Sequence, residues 1–155
     1  MFFFFSTKQK RLVSQLEKAF PKELALDVKA VCHALNIKSK AYLTVESYAL
    51  YSEEKTDWQL LSGEKVTIPY RIYIDESDIP STLTARQKLI YHCIFSRCYN
   101  GYVRQKQIDA LLDSDPPEWA MPFIIKICDE YVIEILQIVY KALSGRDCTA
   151  YKRIC

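Results

Sequence analysis

The chain has 155 residues, half of them apolar, a quarter charged and only three of them glycine. That composition excludes a disordered or low-complexity protein and fits one compact core. The formal charge of +2 excludes a uniformly basic polyanion binder, yet the charge is laid out in blocks. Residues 1–40 hold 8 basic and 3 acidic groups, 41–80 hold 3 and 8, 81–106 hold 5 and 0, 107–135 hold 1 and 7, and 136–155 hold 4 and 1. Such blocks can place faces of opposite sign on one small body and steer a charged partner.

The first helix is expected after Ser6, which has Gln9 at the capping-box spacing and then Leu12, Val13, Leu16 and Phe20 on one stripe. Pro21 suits the first turn of a second helix, in which Leu24, Val28, Val31, Cys32 and Leu35 recur at helical spacing until Asn36. The period then changes. AYLTVESYALY fits either a helix or a strand, with strand favoured, and in KVTIPYRIYI the residues Val66, Ile68, Tyr70, Ile72 and Ile74 alternate with Thr67, Pro69, Arg71 and Tyr73. That predicts one strand of about ten residues, at an edge or bulged where Pro69 cannot donate. Ser62-Gly63 offers the turn back to a strand over Trp58 to Leu61, which makes a β-hairpin.

Thr84 and Gln87 repeat the capping-box spacing, and Leu89, Ile90, Cys93, Ile94 and Arg97 mark one helical face. Asn100-Gly101 is expected to close that helix in the left-handed conformation. Val103, Ile108, Leu111 and Leu112 organise the next one, and DSDPPEW stops the chain and restarts it toward Trp119, Phe123, Ile124 and Ile127. Val132, Ile135, Leu136, Val139 and Leu143 continue the pattern to Gly145, with Asp129 leaving open one long helix or two.

The six cysteines, Cys32, Cys93, Cys98, Cys128, Cys148 and Cys155, are an even number that invites a disulfide framework. Against it, MFFFF lacks a basic leader and its apolar run stops at Ser6, short of a signal sequence of roughly 7 or more apolar residues. Cys32, Cys93 and Cys128 fall at apolar helical positions, where a reduced thiol is a small hydrophobe. Cys148 and Cys155, in the basic tail, read as exposed thiols. No run approaches the roughly 18 apolar residues of a membrane span. The expected compartment is a reducing cytoplasm.

Two segments, NGYVRQKQIDALL and DEYVIEILQIVYKAL, each open with a polar turn and Tyr-Val before an apolar helix, and 29 residues separate Tyr102 from Tyr131. Over residues 84–144 the chain resembles HEAT-type helical repeats, in which a polar turn with Val-Arg, here Val103-Arg104, opens the inner helix. Position 133 is Ile where that pattern has Arg. The resemblance implies a helical surface that binds another macromolecule, usually a protein, and implies no catalytic residue.

CYNGYVRQKQIDALL also has the look of a helix-turn-helix, with Arg104, Gln105, Lys106 and Gln107 at the head of its second helix. A DNA-reading helix needs such side chains exposed, but this one runs into Asp109, Asp113, Asp115 and Glu118, which a phosphate backbone would repel. RNA binding through residues 86–106, with Arg97, Tyr99, Tyr102 and Arg104, is the alternative that survives. Cys32-His33 and His92-Cys93 are adjacent pairs that point about 100° apart on a helix and make no dyad. His92, Cys93 and Cys98 have no second ligand pair at zinc spacing. The acid sets Asp75, Glu76, Asp78 and Asp113, Asp115, Glu118 lie in turns or at helix starts, where carboxylates are favoured structurally; an enzyme would need to gather His92 with one of them. No phosphate loop or nucleophile elbow is present.

The expected architecture is therefore mainly α (α+β) in one domain over 1–155. It comprises a helical hairpin over 1–40, a β-hairpin region over 41–75, a HEAT-like hairpin pair over 84–144 and a basic tail over 145–155. The expected function is non-catalytic binding of another protein, as a bacterial toxin-neutralising immunity protein or antitoxin does, with no cofactor or metal and no membrane. The expected partner-binding residues are Asp109, Asp113, Asp115 and Glu118, facing a basic toxin or nuclease domain, together with Arg97, Tyr99, Tyr102 and Arg104. Tyrosine and arginine carry interface energy because a rigid ring with a polar tip, or a planar fork, loses little entropy on burial.

Overall fold

The computed structural model describes residues 6–37, 42–44, 57–130, 133–144 and 152–153. Phe2 to Phe5, most of AYLTVESYALY, Tyr131-Val132, Cys148 and Cys155 lie outside them. The chain is mainly helical with small antiparallel sheets. Helix α1 (Thr7–Glu17) starts at the Ser6/Gln9 capping box and buries Leu12, Val13 and Leu16. Pro21 opens a short 3-10 turn that leads into α2 (Ala25–Ala34), which buries Val28, Val31 and Cys32 and ends at Asn36, φ 45°.

β1 (Tyr42–Thr44) is followed by the hairpin of β2 (Asp57–Gln59) and β3 (Lys65–Thr67), whose turn places Gly63 at φ +83°. Glycine suits that turn because a Cβ is strained at positive φ. The ten-residue strand expected from alternation does not form as one. It divides at Pro69 into β3 and β4 (Arg71–Tyr73), and the two halves join different sheets: β3 pairs with β2, and β4 pairs with β1. Alternation reports which side chains face inward, and Val66, Ile68, Ile72 and Ile74 are all buried; it does not report a change of partner strand. β2 also pairs with β5 (Lys152–Arg153).

α3 (Ala85–Phe95) starts at the Thr84/Gln87 capping box, and Gln87 Nε2 also reaches Asp27 Oδ1 of α2 at 2.9 Å. Helix α3 packs between α2 and α4 (Gly101–Asp113), so besides Ile90, Cys93 and Ile94 it buries Tyr91 and Phe95. Asn100 does not close α3. It is the N-cap of α4, in extended conformation, and its Oδ1 accepts from Tyr102 N at 3.0 Å. An asparagine serves either end of a helix, and here a donor two residues ahead decides. Between the helices, Tyr99 N donates to Ile72 O and Ile72 N to Arg97 O, so residues 97–99 lie alongside β4.

α5 (Met121–Ile127) and α6 (Ile133–Leu143) are two helices, separated by a turn at residues 128–130. α5 is buried on nearly every side, including Lys126, whose Nζ meets Asp129 Oδ2 at 3.0 Å. Phe20 stacks on Phe123 at 5.1 Å between centroids, joining the α1 end of the core to α5. Core residues from Leu12 to Val139 form one hydrophobic cluster. Cys32, Cys93 and Cys98 are buried free thiols, whereas Cys128, expected on an apolar face, is exposed just past α5.

Tyr91 ties α3 to the loop after β4, donating its hydroxyl to Ser77 O at 2.6 Å. Burial, then the charges of Glu76 and Asp78, push its pKa from 10.0 up to about 12. Between those values the unfolded chain releases this proton and the folded chain keeps it. The contribution is thus present below pH 10 and is lost as pH rises to about 12. Tyr91→Phe should flatten that part of a curve of urea midpoint against pH, compared with wild type.

Candidate functional site: an arginine cluster and the outer stripe of α4

Helical spacing divides α4 into two faces. Arg104, Gln107, Ile108 and Leu111 are buried, and three of them repeat at the i, i+4, i+7 interval of one inward stripe. Tyr102, Lys106, Asp109 and Asp113 fall on the opposite stripe and are exposed, Tyr102 to 86%.

The inward face carries an ionic cluster. Glu130, in the turn between α5 and α6, is approached by Arg71 from β4, Arg97 from the segment after α3 and Arg104 from α4. Arg71 Nη1 donates to Glu130 Oε1 at 2.7 Å. Arg97 Nη1 lies 3.0 Å from Oε1 and Arg104 Nε 2.7 Å from Oε2, as charge contacts outside hydrogen-bond alignment. The remaining donors close the backbone breaks around them. Arg97 Nε and Nη2 bond Pro69 O and Tyr70 O at 3.1 and 2.7 Å, where β3 gives way to β4. Arg104 Nη1 bonds Cys98 O and Tyr99 O at 2.8 and 2.9 Å, at the corner between α3 and α4. The Arg97 side chain has no exposed surface. Desolvation lowers its pKa to about 10 against the raising effect of Glu130, and the like charges of Arg71 and Arg104 push the same way as desolvation.

Arg97 and Arg104, expected to contact a partner at the surface, are instead drawn inside by the Glu130 carboxylate and by carbonyls that secondary structure leaves unpaired. Arg97 has no surface to present to a polynucleotide, and Arg104 keeps only a small part of its side chain in reach of solvent. Gln107, which a helix-turn-helix reading would need exposed, is also buried. Two of the remaining basic residues of the block are paired as well, Arg86 with Asp27 at 2.7 Å and Lys106 with Glu76 at 3.0 Å, while Lys88 is exposed.

Tyr99 and Tyr102 do lie at the surface, on either side of the Asn100 corner. Tyr99 stacks on Tyr73 with centroids 5.7 Å apart and donates its hydroxyl to Asp75 Oδ1 at 2.8 Å, a bond that raises its pKa. Arg71 lies over the Tyr70 ring at 4.5 Å. Glu118 Oε1 accepts from Leu61 N at 2.7 Å in the β2–β3 turn. Asp109, Asp113 and Asp115 are exposed, Asp115 at φ 52°.

His92 meets one acid set indirectly. Gln107 Nε2 donates to Glu76 Oε1, which fixes the amide so that its Oε1 accepts from His92 Nδ1 at 2.6 Å. The chain ties α3, α4 and the loop after β4 together, with Gln107 between the imidazole and the carboxylate. Among the described residues no group of three His, Cys, Asp or Glu side chains could hold a metal, and no helix is long and apolar enough to cross a membrane.

Glu130 was not singled out by sequence, yet three elements depend on it. Glu130→Ala should lower stability by about 3–5 kcal/mol, because it strands buried guanidiniums. Arg86→Ala, which removes an ion pair on the surface, should cost under about 1 kcal/mol. Urea midpoints of the two variants compare them directly.

The chain matches no known protein family, and no curated protein or solved structure is significantly similar to it.

Proposed function

We propose that this protein is a non-catalytic binding module that receives a basic protein surface on the outer stripe of α4. The reading is that of a bacterial immunity protein or antitoxin, which neutralises a toxin or nuclease domain in the cytoplasm by covering it. Its main support is an electrostatic pattern that works against the helix itself. α4 has no acid in its first turn and no base in its last. Asp109 and Asp113 are like charges four residues apart at its negative end, and among the described residues neither has an ionic or hydrogen-bonded side-chain partner. Lys106, which could have neutralised Asp109 from three residues away, pairs with Glu76.

Such an arrangement costs a few tenths of a kcal/mol for the like pair and about 0.3–1 kcal/mol against the helix dipole. A cationic partner would remove both terms, and it would be steered by them during approach. The stripe from Tyr102 to Asp113 is about 17 Å long at 1.5 Å per residue. That length fits inside a standard interface of about 800 Å² per partner. Tyr102 would supply ring area at one end and the carboxylates charge at the other.

Asp113→Lys should raise stability by about 0.5–1 kcal/mol while weakening binding. The binding arm compares wild type with the Asp109→Lys/Asp113→Lys double variant as bait in nuclease-treated host lysate. One basic protein, recovered in near-stoichiometric amount by wild type and lost by the variant, is the expected outcome. Equal recovery by both would remove the acidic stripe from the reading.

A further inference from the structure

Among the described residues the Glu130 cluster is unbalanced: three guanidiniums share one carboxylate, which leaves two positive charges in a nearly sealed site. Its donors are also not all used. Arg71 spends Nη1 on Tyr70 O and Glu130, and Arg104 spends Nη1 on two carbonyls while its Nε makes only a charge contact with Glu130. Arg71 Nε and Nη2 and Arg104 Nη2 have no hydrogen-bond partner among the described residues. Arg97, by contrast, is committed to Pro69 O, Tyr70 O and Glu130. Arg71 is the most open of the three, with 14% of its side chain exposed, and Arg104 follows at 9%.

We propose that Arg71 and Arg104 form the rim of a binding site for a dianionic phosphate group, which completes the cluster that Glu130 only partly neutralises. A phosphate monoester carries about −1.5 to −2 charges at pH 7 and three acceptor oxygens. It therefore matches both the residual charge of two and the unspent donors. A carboxylate supplies only one charge. A phosphodiester also supplies one. Planar guanidinium forks are suited to phosphate oxygens in a way a lysine is not. The site is separate from the acidic end of α4 and does not rest on the partner proposed there.

The test is thermal unfolding at pH 7.5 and constant ionic strength, with inorganic phosphate replacing chloride. Wild type should gain roughly 3–6 °C in Tm at saturation, and Arg71→Gln should lose that gain. Arg71→Lys, which keeps the charge and loses the fork, should show a reduced gain and serves if the glutamine variant folds poorly. Glu130→Gln raises the uncompensated charge from two to three and should gain more from phosphate than wild type does. O-phosphoserine, titrated alongside, separates the two sources of the group: tighter binding than inorganic phosphate points to a phosphorylated side chain, and weaker binding to the free ion. No gain in wild type, or equal gains in wild type and Arg71→Gln, would overturn the site. So would a single-stranded oligonucleotide that binds through Arg71 while inorganic phosphate has no effect.

Discussion

One carboxylate in a turn decides how the second half of this protein is assembled. Glu130 sits between α5 and α6, and the three arginines that converge on it come from β4, from the segment after α3 and from α4. Each also bonds backbone carbonyls at a place where regular structure stops: Arg97 and Arg71 at the Pro69-Tyr70 break, Arg104 at the Cys98-Tyr99 corner. Buried ion pairs add little net stability over an apolar core, because desolvation consumes most of the Coulombic gain. Their importance is conditional. With Glu130 present the breaks in the chain are satisfied in one arrangement, and without it the same guanidiniums are buried charges with no counterion.

That internal demand shapes the outer surface. Pairing takes up most of the 81–106 basic block, through Glu130, Asp27 and Glu76. The acidic 107–135 block gives up Glu130, Glu118 and Asp129 to interior or tethering roles. What remains outside is uneven, with Asp109 and Asp113 exposed at the negative end of α4 and tyrosine rings exposed at the other end. The opposed charge blocks of the sequence thus survive folding in part, as one acidic helix end beside an interior with excess positive charge. The two proposed partners, a cationic surface outside and a compact dianion at the cluster rim, rest on that division.

Features set by near neighbours were legible in the sequence. Both capping boxes need only two side chains three residues apart, and both form. The Ser62-Gly63 turn and the helical stripes of α1, α2 and α5 followed from spacing for the same reason. Features set by distant partners were not. The break at Pro69 is stabilised by an arginine 28 residues away, and Asn100 became an N-cap because the next helix begins at Gly101. For the arginines a signal existed and pointed inward: Arg97 continues the register of Ile90 and Ile94, and Arg104 that of Ile108 and Leu111. A charged residue at a core position predicts a buried counterion. The sequence names several acids that could serve, and only the turn between α5 and α6 selects Glu130. The second Tyr-Val start behind the HEAT resemblance lies outside the described residues, and Arg104 of the first faces the cluster.

The central claim, that Glu130 acts as the shared counterion of this assembly, is tested most directly by a double-mutant cycle between Glu130→Met and Arg97→Met, read as urea unfolding free energies. If the account is right, either single change strands buried charge, and the double variant loses less than the sum of the singles by about 2 kcal/mol or more. Additive losses would contradict it. They would mean that Arg97 and Glu130 stabilise the fold independently, through their backbone bonds and packing alone.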